Sequence, residues 1–152
     1  MRRIALGIEY YGAAYNGWQR QSSVPSIQAS LEQAISKVAN QQIPIFCAGR
    51  TDQGVHATGQ VIHFDYDDLN SRRELPAWIL GGNTLLSHDI SINWAQNVPN
   101  EFHARFSAIS RRYQYYIYVS QCPRALLVHK ALWVRKDLDA DSRDFEEVRS
   151  NL

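Results

Sequence analysis

The spacing of apolar residues changes period once within the first forty residues, and no other feature constrains the fold as much. Ile4, Leu6, Ile8 and Tyr10 alternate with Ala5, Gly7 and Glu9, the period-two pattern of a strand with one buried face. Ile27, Leu31, Ala34, Ile35 and Val38 then recur every three or four residues, the pattern of a helix that buries one stripe. Ser26, after Pro25, supplies an N-cap,, and the helix is predicted to run to about Asn40. A strand that hands over to a helix across a glycine-bearing loop (Tyr11–Gln21) is the opening of an α+β domain.

The rest of the chain extends this beginning. Ile43–Ala48 is a short apolar strand, Gly49–Val55 a loop, and Thr58–Asp65 a second alternating strand. Arg72–Leu86 is predicted to be a helix, with Pro76 in its first turn, where the missing N–H costs nothing,. Asp89–Asn97 is strand-like. Ser110–Ser120, with Tyr113, Tyr115, Tyr116, Ile117, Tyr118 and Val119, carries the strongest strand signal, because aromatic and β-branched residues suit a pleated surface,. Tyr113 and Tyr115 would share one face of that strand and Tyr116 and Tyr118 the other, so one pair is expected in the core. Val128–Val134 adds a strand, and Asp139–Val148 opens a polar helix. The order β-α-β-β-α-β-β-β-α predicts an α+β fold: a ferredoxin-like or RRM-like sheet, antiparallel or mixed, with helices on one face.

Composition narrows the function classes. With 152 residues the chain is long enough for one self-sufficient core,. Its two cysteines, Cys47 and Cys122, make no disulfide framework; they read as reduced, buried small side chains, which fits a cytoplasmic location,. No apolar run reaches the roughly 18 residues of a membrane span, and Met1-Arg2-Arg3 leads into a strand rather than a signal-peptide core,. The net charge of +1 conceals an asymmetry: 14 basic against 9 acidic residues up to residue 136, then 2 against 6 in the remainder. Thirteen of the sixteen basic residues are arginine, whose planar fork suits phosphates and base edges.

The chemistry concentrates in Ala48-Gly49-Arg50-Thr51-Asp52-Gln53-Gly54-Val55-His56-Ala57. An arginine and a carboxylate two residues apart, framed by glycines between two strands, make a usual place for a catalytic group. Asp52 could act as nucleophile or base, or it could only close an Asx turn with Arg50 as its ion-pair partner. No second carboxylate is placed for two-acid hydrolysis, since Asp65, Asp67 and Asp68 read as a solvated turn,. The five histidines are scattered without metal-ligand spacing, and no phosphate-cradling glycine loop is present, so neither a metal nor a nucleotide cofactor is expected,. Two stretches mix guanidinium groups with flat rings: Tyr15–Gln21, and Phe102–Phe106 running on to Arg111-Arg112-Tyr113. Such mixtures serve unpaired bases and phosphates, or their rings serve the core.

At these residues the sequence resembles the tRNA pseudouridine synthase A family. The resemblance rests on Ile4–Gly12, Tyr15, Gly17–Gln21, Phe46–Asp52 with Gly54-Val55-His56, Gly59-Gln60-Val61, Phe102–Ala108 and Arg111-Arg112-Tyr113, in the family's order over residues 3–137. It implies the N-terminal half of a pseudouridine synthase fold. The activity implied is an intramolecular transferase, without cofactor, that isomerises uridine to pseudouridine in the anticodon stem-loop of tRNA at positions 38, 39 and 40. The resemblance makes Asp52 the nucleophile, places Arg50 as the side chain that fills the gap left by an everted uridine, and stacks Tyr113 on the uracil. It makes Trp18, Gln19, Arg20, His103, Arg105, Arg111 and Arg112 RNA contacts or their supports, tRNA the partner, and a homodimer the assembly. Family members run to roughly twice this length, as two similar halves with the site between them. The expected organisation is therefore a catalytic half over residues 1–137, a divergent helix start over 138–152, and no second half. Such a chain is expected to fold partially at best and to turn over little by itself, so a catalytically idle RNA-binding fragment is the alternative. An aspartate-based nucleoside hydrolase is a third and weaker reading.

Overall fold

The computed structural model describes residues 1–67, 69, 72–128 and 130–135. They fall in two compact units, Met1–Ile109 and a second that begins at Ser110. The first unit runs β1 (Arg2–Tyr10), α1 (Ile27–Ala39), β2 (Phe46–Cys47), β3 (Ala57–Tyr66), α2 (Leu75–Leu85) and β4 (Ile90–Val98). Its four strands pair antiparallel in the order β2-β3-β1-β4. This is the ferredoxin-like β-α-β-β-α-β arrangement that the sequence predicts.

Each element forms for a local reason. Along β1 the alternating Ile4, Leu6, Ile8 and Tyr10 are buried against Ile27, Leu31 and Ile35 of α1 and Trp78 of α2. Ser26 caps α1 by accepting from the Ala29 N–H at 3.4 Å, and Asn40 ends it in the left-handed conformation at φ 53°, a state asparagine tolerates better than most residues. Pro76 lies in the first turn of α2. Ser26→Ala is expected to destabilise the unit by about 1 kcal/mol, read as a lower thermal midpoint with unchanged circular dichroism.

The second unit departs from expectation. Its two strands, β5 (Ile117–Val119) and β6 (Leu132–Val134), pair parallel, with Tyr118 opposite Trp133. The strand predicted over Ser110–Ser120 thus shrinks to its last third, and Tyr113 does not lie on a strand. Propensity alone does not make a strand; its N–H and C=O groups need a neighbour, and β6 offers only three residues. None of the four tyrosines is buried, so the pair assigned to the core is absent from it: Tyr113, Tyr115 and Tyr116 are exposed and Tyr118 is half-buried. Val128–Val134 likewise contracts to Leu132–Val134, and Ile43–Ala48 to Phe46–Cys47. The helix expected over 139–148 lies outside the described residues.

Candidate functional site

The loop between β2 and β3 leaves the sheet under tight control. Ala48 donates its N–H to Val61 O at 2.8 Å, the last rung before the chain turns away. Gln60, buried on β3, accepts from the Gly49 N–H at 3.3 Å and donates its amide to Gly49 O. Two residues on, Thr51 is held twice: its carbonyl accepts from the Trp18 N–H at 2.9 Å, and its hydroxyl bonds the Tyr10 hydroxyl at 2.7 Å. The Val55 N–H then closes the turn on Asp52 O at 3.2 Å, with Gly54 at φ 78°. His56 Nδ1 accepts from the Gly12 N–H at 2.9 Å, and its ring stacks on Tyr11 at 4.3 Å and 6°.

The Tyr10–Trp18 segment is a cradle for this loop. A Cβ on Gly12 would sit 2.0 Å from Val55 O, and one on Gly17 would sit 2.8 Å from Thr51 O at a φ of 92°. Only glycine allows so close an approach. The backbone of the loop is fixed while the side chains of Arg50 and Asp52 are not absorbed into the fold. Arg50 and Asp52 are both exposed. Neither makes an ion pair with a described residue, so the Arg50–Asp52 pair that a purely structural turn would use is not formed. The turn is closed through the Asp52 backbone carbonyl instead. Gln60→Ala removes both bonds to Gly49, and about 1–2 kcal/mol of local stability should go with them. Faster hydrogen exchange at the Gly49 amide would report it, with the β1–β3 ladder still protected.

The remaining sequence candidates are placed unequally. Trp18 is 2% exposed, packed at 6.0 Å from Tyr10. Gln19 is exposed. Arg20 is exposed but committed, because it donates to the largely buried Glu32 carboxylate at 2.7 Å, which Gln28 and the Ile45 N–H also bind. His103 is half-buried and Arg105 exposed, in the turn after β4. Tyr113, Arg111 and Arg112 are exposed in the second unit.

Several residues that shape the site were not singled out by the sequence. Asp65, read as a solvated turn carboxylate, accepts two hydrogen bonds from the Arg3 guanidinium at 2.8 Å each. Those bonds hold its pKa below the usual carboxylate value. Arg3 also donates to Phe102 O at 2.8 Å and to Asn100 O, tying the turn after β4 to the sheet. His63, on β3, is 2% exposed and accepts from the Ala104 N–H at Nδ1, 3.1 Å away. Burial, helped by the nearby His103 and Arg3, pushes its pKa down to about 4. Cys47 is half-buried, and burial raises its thiol pKa against the opposing fields of Arg50 and Arg105. The thiol therefore stays protonated near neutrality and is a poor nucleophile. Cys122 is exposed rather than buried. Signals for Arg3, Asp65 and His63 existed only in the pairing register, which sets Arg3 opposite Asp65 and Phe46 opposite His63. Among the described residues no three His, Cys, Asp or Glu side chains converge to hold a metal, and no helix is long and apolar enough to cross a membrane.

A ferredoxin-like sheet that presents a carboxylate and a guanidinium on a rigid loop defines a class, and residues 7–107 match the family described as tRNA pseudouridine synthase. The chain belongs to that family. Among curated relatives it is 54% identical over 140 residues to the tRNA pseudouridine synthase A of Alcanivorax borkumensis, covering 91% of this chain and 51% of the relative. It is 55% identical over 139 residues to that of Shewanella sp. (strain MR-4), covering 91% and 52%. For Klebsiella pneumoniae (strain 342) the figures are 52% over 139 residues, 91% and 50%. The chain spans about half the length of the curated relatives it matches.

Proposed function

We propose that this chain supplies the aspartate-bearing half of a tRNA pseudouridine synthase acting on the anticodon stem-loop, with residues 1–137 as that half. The observation that carries the reading is the exposed Asp52 on a loop held through its backbone at Gly49 and Thr51 and through the ring of His56. A carboxylate that must reach an everted nucleoside needs exposure and a fixed backbone together. In this reading Asp52 attacks the substrate, the N1–C1′ bond of uridine breaks, and the uracil turns. A C5–C1′ bond then forms as the Asp52 carboxylate is released, the C5 proton leaves and N1 gains one, so the product is an isomer, the carboxylate is regenerated and no cofactor is consumed. Arg50 fills the space the uridine vacates, and its guanidinium can stack and bind phosphate together. Tyr113 stacks on the uracil. Gln19, His103, Arg105, Arg111 and Arg112 contact the RNA, while Trp18 and Arg20 support the loop. The location is cytoplasmic and the assembled enzyme a homodimer. A second reading, an RNA-binding half without turnover, draws on the extent of the match, which is half of each relative.

The test uses tRNA tritiated at the uracil C5 position, because isomerisation liberates that hydrogen. The 152-residue chain by itself is expected to release little or no tritium. A chimera is expected to release it with the base retained in the polymer: residues 1–137 followed by the part of the Shewanella relative that this chain does not cover. A chimera that releases free uracil would mark a hydrolase, and one that folds, binds tRNA and releases nothing would sink the reading.

A further inference from the structure

We propose that the ring of Tyr11 is a stacking platform for an unpaired nucleobase that neighbours the target uridine in the RNA strand. The proposal rests on the tRNA reading above and adds a residue that grips the substrate beside Asp52.

Of the three tyrosines in the Tyr10–Trp18 segment, Tyr11 is the one left out of the core. Tyr10 and Tyr15 are buried, and their hydroxyls bond Thr51 at 2.7 Å and Asp89 at 2.8 Å. Tyr11 keeps 43% of its surface exposed, and among the described residues its hydroxyl has no hydrogen-bond partner. The ring is nonetheless held. It lies face to face with the His56 ring, at 4.3 Å and 6°. That imidazole is fixed in turn, because its Nδ1 accepts the Gly12 N–H at 2.9 Å. The Tyr11 N–H donates to Asp89 O at 2.8 Å, and the next residue, Gly12, packs against the Val55 carbonyl too closely for any Cβ. An exposed ring with a second ring behind it and an anchored backbone has little freedom left to lose when a flat partner arrives.

Position selects the partner. The Val55 N–H closes on Asp52 O at 3.2 Å, a turn that keeps the two Cα atoms within about 7 Å, and His56 follows Val55 directly. The stacked pair therefore stands one short turn away from the carboxylate. On the tRNA reading that carboxylate meets an everted nucleoside, and everting it strips each strand neighbour of a stacking partner. A base left in that state needs a flat face, and Tyr11 offers one at a fixed place beside Asp52. Arg50, exposed on the same loop and in no ion pair with a described residue, suits the phosphates of the same strand. Stacking accepts any base, since each has a π-face, so Tyr11 adds grip without reading sequence.

The experiment is equilibrium binding of the 152-residue chain, across a salt series, to an RNA hairpin whose unpaired loop carries one uridine. Two matched hairpins are abasic at the nucleotide on the 5′ or the 3′ side of that uridine. Tyr11→Ala is expected to weaken binding to the intact hairpin roughly 5- to 100-fold, but to stay within about twofold of the unsubstituted chain on one of the abasic hairpins, where the stacking partner is already gone. Tyr11→Phe keeps the π-face and should bind the intact hairpin as the unsubstituted chain does. Tyr11→Leu still covers the His56 ring but offers no π-face, and should lose most of what Tyr11→Ala loses. Equal losses in Tyr11→Ala on all three hairpins make the ring a support for His56 and overturn the platform, with the tRNA reading left standing. Unchanged affinity in Tyr11→Ala, or a Tyr11→Leu chain that binds like Tyr11→Phe, overturns it in the same way. Failure of the unsubstituted chain to bind any of the hairpins at any salt overturns both.

Discussion

Asp52→Asn is expected to abolish tritium release by the chimera, with a loss of at least ~10³-fold, while tRNA affinity stays within about threefold. The amide keeps the shape and polarity of the side chain but is no longer an anionic nucleophile. The split between turnover and binding follows from the placement of the residue. Asp52 is exposed, and its role in closing the turn runs through the backbone carbonyl, which the substitution keeps. A loss of binding equal to the loss of turnover would instead assign Asp52 to the RNA grip. Unchanged turnover would remove it from the chemistry altogether. Arg50→Ala distinguishes the neighbouring role: filling the vacated stack is a binding function, so that variant should weaken binding as well as turnover.

The elements that the sequence made legible are those whose signal is local and repeated. The four alternating apolar residues of β1 and the stripe from Ile27 to Val38 are each a period that only one secondary structure satisfies, and both elements fall where that period places them. The loop from Gly49 to His56 stands out in the sequence as a candidate site because a guanidinium, a carboxylate and two glycines lie within one short connection. What escaped was set by partners far along the chain. Tyr113, Tyr115 and Tyr116 are of a type strands favour, yet a strand also needs a paired neighbour, and β6 reaches only Ile117–Val119. Asp65 looks solvated until β1 brings Arg3 against it across 62 residues. Gln60 is an unremarkable polar residue in an alternating strand until the register aims its amide at Gly49.

The same non-locality accounts for how the site is held. Apart from the Val55 N–H that closes the turn on Asp52 O, the Arg50–Asp52 stretch does not fix its own conformation. The fixing groups come from the start of the chain, through Tyr10, Gly12 and Trp18, and from β3, through Gln60. Because β1 is the strand between β3 and β4, the segment that leaves its C-terminal end is the one that can lie across the β2–β3 loop. The glycines at positions 12 and 17 are therefore requirements of the loop they cradle, and the ferredoxin-like topology is what brings cradle and loop to the same end of the sheet.

Acid should unfold the first unit earlier than its composition suggests, and His63 sets the window. Above pH 6.5 the ring is neutral in both the folded and the unfolded chain, and its contribution is fully present. Between about pH 6.5 and 4 the unfolded chain takes up a proton that the folded chain refuses, because its His63 pKa is pushed down to about 4. Stability therefore falls as pH drops through this range, by up to about 3 kcal/mol. The cause is visible in the contacts: His63 is buried, its Nδ1 accepts the Ala104 N–H at 3.1 Å, and a proton there would face that donor. Below pH 3.8 a second loss sets in, because protonating Asp65 breaks its two bonds to Arg3 and its folded pKa lies lower than its unfolded one. Urea unfolding at pH 7.5, 6, 5 and 4 measures the first window. His63→Gln keeps an acceptor for Ala104 and does not titrate, so it should flatten the slope between pH 6.5 and 4 while leaving the Asp65 loss in place. An unchanged slope in that variant would return the acid sensitivity to other groups. Since His63 is also the inner ring behind His103 and Phe106, its protonation should loosen the turn after β4 before the sheet itself gives way, and hydrogen exchange at Ala104 should rise at a higher pH than exchange along β1.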